Sequence, residues 1–223
     1  MIIRDRLRLA AAAHERIAAS GVDTIVAAGE AMVTALTDGR SILVFGNGGS
    51  AADAQHFAAE LVVRYERDRR ACSAVALTTD SSVLTATAND RAFDAVFVRQ
   101  IEALGRPGDI ALAITTSGQS PNIVRALEAA NGAGMVTIAL TGRDGRRAGQ
   151  LATIHVNVAE DRTALAQEVH TTILHAWCEL IDEAFAGEER TSRRDTEPEG
   201  KSLRENERQN RNTKITKTTK ITK

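Results

Sequence analysis

Between residues 41 and 186 the chain alternates short apolar runs with longer stretches in which apolar residues recur every three or four positions. The runs are SILVFG (41–46), AVALT (74–78), IALAITT (110–116), MVTIALT (135–141) and TIHVNV (153–158). Each is bounded by Gly, Asp, Ser or Thr and, TIHVNV apart, lacks strict polar alternation, which predicts strands covered on both faces. Helical spacing occupies 50–64, 91–104, 121–132 and 163–186, with a shorter stretch near 144–151. Strand and helix in alternation predict an α/β domain, a doubly wound parallel sheet with right-handed crossovers.

Residues 3–38 precede the sheet and read as one or two helices, broken at ASGVD, where Asp23 is placed to cap the second. The N-terminal 1–40 region therefore reads as a helical extension whose Ala-rich faces suit packing on another subunit. The last segment, 187–223, has only Leu203, Ile215 and Ile221 as large apolar residues, and this composition predicts disorder. Its eleven Lys and Arg exceed its seven Asp and Glu, so the chain's net charge of −1 leaves residues 1–186 acidic. The basic character is confined to the tail, whose NTKITKTTKITK repeat carries no assigned function.

With 223 residues, 43% hydrophobic and 26% charged, the chain suits one domain with extensions, and nothing in it asks for a nucleic acid or a membrane. Its start lacks the apolar run of a signal peptide, and no later segment reads as a bilayer span, so a cytoplasmic location is expected. Only 3% of residues are aromatic, leaving Ala, Val, Ile and Leu to fill the core. Cys72 and Cys178 lack metal-site spacing and read as buried reduced thiols.

Two polar loops stand out. GNGGSAAD follows the first predicted strand and TTSGQSPN follows the third, and each leads into a helix. Glycine lets the backbone approach a ligand, hydroxyls add donors, and the helix start adds unpaired N–H groups and a positive dipole end. Neither loop has a nucleotide-binding fingerprint, so a compact phosphate monoester suits them better than NAD or ATP. The plainer alternative is a pair of tight turns in which Ser50, Ser117 or Ser120 caps a helix.

On the helix after the first loop, His56 and Glu60 are four residues apart and share a face. The long C-terminal helix contributes QEVHTTILH, which holds Gln167, His170 and His175. A His and a carboxylate at this spacing suit zinc, with Gln as an uncommon further ligand, or general acid–base chemistry. Spacing alone also allows Glu60 to be a solvated carboxylate and His175 a core histidine. Asp90 in TANDRAF and Arg64 in ELVVRY read as helix-end residues with no firm role.

Taken together, GNGGSAADAQHFAAEL, VALTTDSSVLTATAND, TTSGQSPNIVRALEAA and QEVHTTILHAWCELI resemble the phosphoheptose isomerases, the sedoheptulose 7-phosphate isomerases of the sugar isomerase (SIS) domain superfamily. The resemblance covers about 41–182. It implies an SIS-type five-stranded parallel sheet flanked by helices, in a homotetramer. By the same resemblance Ser50, Thr115, Ser117 and Ser120 bind the substrate phosphate, and Asn47, Thr116 and Asp90 help hold the sugar. Gln167 joins the substrate site, Glu60 and His175 are the catalytic acid–base pair, and His56, Glu60, Gln167 and His175 correspond to ligands of one Zn2+ in zinc-bearing members. The implied reaction converts sedoheptulose 7-phosphate to D-glycero-D-manno-heptose 7-phosphate through an enediol.

The sequence departs from the family pattern at Thr115, where Ser is more common, at Ala88, where Gly is common, and at Ala164 and Leu165, where polar residues usually precede the Gln. These changes bear on substrate preference and leave the acid–base pair in place. The competing class is a binding protein similar to the DnaA initiator-associating protein, which lacks the carboxylate and histidine seen here as Glu60 and His175. An SIS-type sugar-phosphate sensor, or an isomerase of another sugar phosphate, is the third reading.

Overall fold

The computed structural model describes residues 1–187 of the 223, and the expectations for the rest of the tail lie outside the described residues. Five strands form one sheet: β1 (Ile42–Gly46), β2 (Ala74–Ala76), β3 (Ile110–Thr115), β4 (Val136–Gly142) and β5 (Ile154–Val158). Their spatial order is β2-β1-β3-β4-β5, with every pair parallel. All residues of β1 and β3 are buried, as expected of central strands covered by helices on both faces. The edge strand β2 is shorter than its apolar run, and Val75 at its centre is exposed. With a neighbour on one side only, the ladder ends sooner.

Helices α1 (Ile2–Ser20) and α2 (Val22–Thr37) precede the sheet, followed by α3 (Gly49–Val62), α4 (Ser81–Asp90) and α5 (Val98–Leu104). Helices α6 (Pro121–Gly132), α7 (Arg146–Leu151) and α8 (Thr163–Ala184) complete the fold. Helix α4 is a correction, because the periodicity places the helix only from residue 91. Its SSVLTATAND sequence is poor in strong helix formers, and it buries no residue against the core. What starts it is Asp80, whose carboxylate accepts the Val83 N–H at 3.0 Å. The 91–104 stretch itself is a 3-10 turn at Phe93–Ala95 and then α5.

A second correction concerns Asp23. Gly21 occupies the N-cap of α2 with no side-chain cap bond, and Asp23 lies within the first turn, where its charge still complements the helix dipole. The α1–α2 pair bends by 77°, and among the described residues no single helix is long and apolar enough to cross a membrane. Helix α2 packs within its own chain: the Trp177 indole of α8 donates to the Ile25 carbonyl at 2.8 Å, and a Cβ on Gly29 would strike Leu180 and Trp177. Helix α1 buries Ala13 alone and leaves Ile2, Ile3 and Leu7 exposed. The two cysteines are buried thiols, and burial pushes Cys178 up to about 12.

Candidate active site

The strand order reverses direction between β1 and β3, and in such sheets ligands bind in the crevice beyond the carboxyl ends of the strands at that switch point. Gly46 pairs with Ile114 in register, so the two polar loops leave adjacent strands side by side. Gly46 has no space for a side chain, since a Cβ there would lie 2.6 Å from the Ser50 carbonyl oxygen and 2.9 Å from that of Ile114. The absence of that Cβ lets β1 turn sharply into α3, with Ser50 buried on its first turn.

The loops are also tied by a reciprocal amide pair. Asn47 Nδ2 donates to Asn122 Oδ1 and Asn122 Nδ2 donates to Asn47 Oδ1, both at 2.9 Å. Asn122, buried on the first turn of α6, went unnoticed in the sequence, although its place directly after SP in the second loop was a usable signal. The second loop turns at Gly118, φ +66°, pressed against the Gly145 carbonyl. Buried Thr115 accepts the Gly118 N–H at 3.2 Å, and Ser117 Oγ accepts the Gln119 N–H at 3.3 Å. Ser120 is the N-cap of α6, but its hydroxyl makes no cap bond; its carbonyl accepts from Ile123 and Val124. Thr116, Ser117 and Ser120 are half-buried on this rim.

Acid–base candidates lie along the seam between α3 and α8. At one end a Cβ on Gly49 would meet Gln167 Nε2 at 2.5 Å; next, the Thr171 hydroxyl donates to Asp53 Oδ1 at 3.2 Å; then His56 Nε2 and His175 Nε2 lie 2.9 Å apart. The matched residues keep an almost constant sequence offset, so the helices run parallel, with positions 49, 53, 56 and 60 on one face and 167, 171 and 175 on the other. Glu60 Oε1 stands 3.5 Å from His56 Nδ1, on the opposite edge of that ring from His175. The Tyr65 ring covers His175 with centroids 5.3 Å apart.

Asp53 is a further candidate, on the helix face of His56 and Glu60 and bonded to Thr171. Burial raises its carboxyl above the usual carboxylate range, opposed by the Thr171 hydroxyl and by the charges of His56 and His175. Asp90 stands apart from this seam: it ends α4, exposed, and accepts the Asn89 amide at 2.7 Å.

The donor chemistry of His56, Glu60, Gln167 and His175 suits zinc. His56 pairs with both Glu60 and His175 in this arrangement, and among the described residues no three His, Cys, Asp or Glu groups converge as a metal centre. Glu60 and His175 flank opposite nitrogens of His56, so a common ion requires at least one of these side chains to turn.

The crevice, the parallel sheet and the paired hydroxyl-rich loops define an SIS domain, and the chain matches the SIS domain family over residues 7–142. That match ends at β4, before the α8 side of the site. Relatives extend further: a phosphoheptose isomerase of Halorhodospira halophila (strain DSM 244 / SL1) is 50% identical over 189 residues, 83% of this chain and 93% of the relative. One from Aquifex aeolicus (strain VF5) is 53% identical over 152 residues, 68% of this chain and 80% of the relative. The solved phosphoheptose isomerase from Neisseria gonorrhoeae superimposes with a TM-score of 0.77 at 43% identity, covering 81% of this chain and 97% of its own. This chain belongs to the phosphoheptose isomerase family of SIS-domain proteins and is an isomerase. The non-catalytic alternative has no support among these relatives.

Proposed function

We propose that the enzyme interconverts sedoheptulose 7-phosphate and D-glycero-D-manno-heptose 7-phosphate, with Glu60 and His175 as the acid–base pair. The observation that carries this reading is the meeting of the α3 and α8 side chains around His56, beside the two polar loops. Ser50, Thr116, Ser117, Ser120 and the start of α6 offer hydroxyl and amide donors to the phosphate, with Thr115 shaping the turn. Gln167 lies over Gly49 between this cradle and the histidines, placed to touch the sugar. Asp90, from α4, is assigned to the sugar on resemblance alone.

The reaction sets the chemical tasks. From the ketose, the Glu60 carboxylate removes a proton from C1 while the protonated His175 imidazole donates one to O2, giving the 1,2-enediol. Glu60 then returns its proton to C2, and the O1 hydroxyl gives its proton back to His175, leaving the C1 aldehyde. Each group ends as it began, and no proton is gained or lost. Proton transfer by positioned side chains accelerates such steps by about 10²–10⁴-fold. Binding of the remote phosphate fixes the reacting carbons against Glu60.

Zinc is proposed as a resident ion held by His56, Glu60, Gln167 and His175 after the pairs of His56 with Glu60 and His175 open. It would supply Lewis-acid polarisation of the carbonyl. A homotetramer is proposed as the working assembly, supported by the unburied Ile2, Ile3 and Leu7 face of α1. The deciding experiment is incubation of the purified enzyme with sedoheptulose 7-phosphate, following aldoheptose 7-phosphate by NMR. Turnover supports the reading; no turnover with or without added zinc overturns it.

A further inference from the structure

One charged pair is buried in the described core, and neither member belongs to the acid–base set. Arg69 Nε donates to Asp182 Oδ1 at 2.7 Å, with the two side chains 0% and 3% exposed. The other carboxylate oxygen, Oδ2, accepts the backbone N–H groups of Glu66 and Arg67 at 2.9 and 2.8 Å. The rest of the guanidinium bonds the end of α3: Nη1 donates to the Leu61 carbonyl and Nη2 to the Glu60 carbonyl, both at 2.9 Å. Nη1 also donates to the Arg70 carbonyl at 2.9 Å.

These bonds have a geometric consequence. Carbonyls in the last turn of a helix have no partner within it, and a cation there is favourable. Arg69 supplies both the donors and the charge, and Asp182 anchors Arg69 to α8, two turns beyond His175. The residue whose carboxylate faces His56 thus has its own backbone carbonyl bonded to a group fixed on the helix that carries His175. Through Glu66 and Arg67, Asp182 also folds back the segment holding Tyr65 over the His175 ring. Elsewhere along the seam the direct bonds are those of Thr171 with Asp53 and of the two imidazoles. Asp182 lies on the same apolar stripe as Cys178 and Ile181, where burying a charge is costly without a paired and hydrogen-bonded partner.

We propose that Arg69 and Asp182 are positioning residues for the reaction, clamping α3 to α8 so that Glu60 and His175 keep their spacing around the reacting carbons. The proposal rests on the isomerase reading for its kinetic test. The phosphate loop at Ser50 is ten residues along α3 from Glu60, about 15 Å at 1.5 Å per residue, so the clamp acts on chemistry and not on phosphate binding. A misplacement of about 1 Å costs up to about 100-fold in rate.

The test compares Asp182→Asn, which keeps the side-chain shape and removes the carboxylate facing Arg69, with the double variant Arg69→Met/Asp182→Leu, which removes the pair and fills its volume. Arg69→Lys keeps the charge but not the fork and serves as the mildest change. For each variant, folding is followed by circular dichroism and a cooperative melt, and turnover of sedoheptulose 7-phosphate is measured. Folded variants with kcat lowered about 10- to 100-fold and KM unchanged support the clamp, with Arg69→Lys losing least. A folded variant with wild-type kcat, or one that changes KM alone, overturns it. Histidine-selective 15N NMR supplies a readout independent of substrate: the clamp predicts shifted His56 and His175 ring-nitrogen resonances in Asp182→Asn, and an unchanged histidine spectrum overturns it. If the wild type fails to turn over the heptulose, the substrate reading falls while the NMR comparison still decides the clamp.

Discussion

His56 and His175 are 119 residues apart in the chain, yet their Nε2 atoms lie 2.9 Å from each other across two parallel helices. A nitrogen-to-nitrogen hydrogen bond carries one proton, so one ring donates and the other accepts. Glu60 stands on the far edge of the His56 ring, 3.5 Å from its Nδ1.

Glu60→Gln and His175→Ala should each lower kcat by at least about 100-fold while the protein stays folded. The proposed proton circuit joins the two, so on that reading the double variant should lose little beyond the worse single one. Steady-state kinetics with circular dichroism check both statements.

Zinc should co-purify at about one ion per subunit, the stoichiometry expected of a single His and carboxylate site. His56→Ala should lose it, because that ring lies between the other donors. Elemental analysis of untagged protein is the measurement, and chelation followed by activity assay separates a metal-dependent enzyme from one that works through acid–base chemistry alone.

Gly118→Ala should disable the second loop as the proposed phosphate cradle. The residue sits at φ +66°, and a Cβ there would collide with the Gly145 carbonyl, so the second loop must leave its place beside Gly145. An increase in KM and a loss of about 2 kcal/mol or more in chemical denaturation are expected.

His170 links stability to pH. It is fully buried on α8, and burial lowers its imidazole to about 4 from the ordinary 6.5, with the Thr141 backbone opposing the shift. The folded pKa lies below the unfolded one, so the stability tied to the neutral ring is present above pH 6.5 and is lost as pH falls toward 4. The loss is on the order of 3 kcal/mol by linkage. His170→Leu should flatten the melting temperature over that window, and thermal melts of both proteins from pH 7 to 4 read it directly.

The proposed homotetramer predicts that Ile3→Asp with Leu7→Asp reduces the assembly below four chains without unfolding the sheet. Both side chains are exposed on α1, and a charge there adds repulsion only where another copy covers the helix. Light scattering coupled to size exclusion measures the mass.

The apolar runs already contained the sheet, since strands buried on both faces must be nearly continuous in Val, Ile, Leu and Ala. They also placed both loops, because small and hydroxyl residues after such a run leave a strand no means of continuing. Helix α4 escaped notice because SSVLTATAND lacks a buried stripe and depends on one cap at Asp80. Asn122 and Arg69 escaped because their partners, Asn47 and Asp182, are distant in sequence, and a polar residue's partner is not encoded in its own neighbourhood.

Sequence by itself determined that His56 and Glu60 share a helix face and that a second helix carries two more histidines, for helical spacing is a local property. Only the tertiary structure decided between those two. His170 and His175 are five residues apart, about 140° around a helix of 3.6 residues per turn, so they cannot both face α3. Burial against the sheet takes His170 into the core, and the parallel packing of α8 on α3 turns His175 toward His56. Which side of a helix meets its neighbour is settled by the fit of many side chains at once, and that is why the site became visible only in the folded chain.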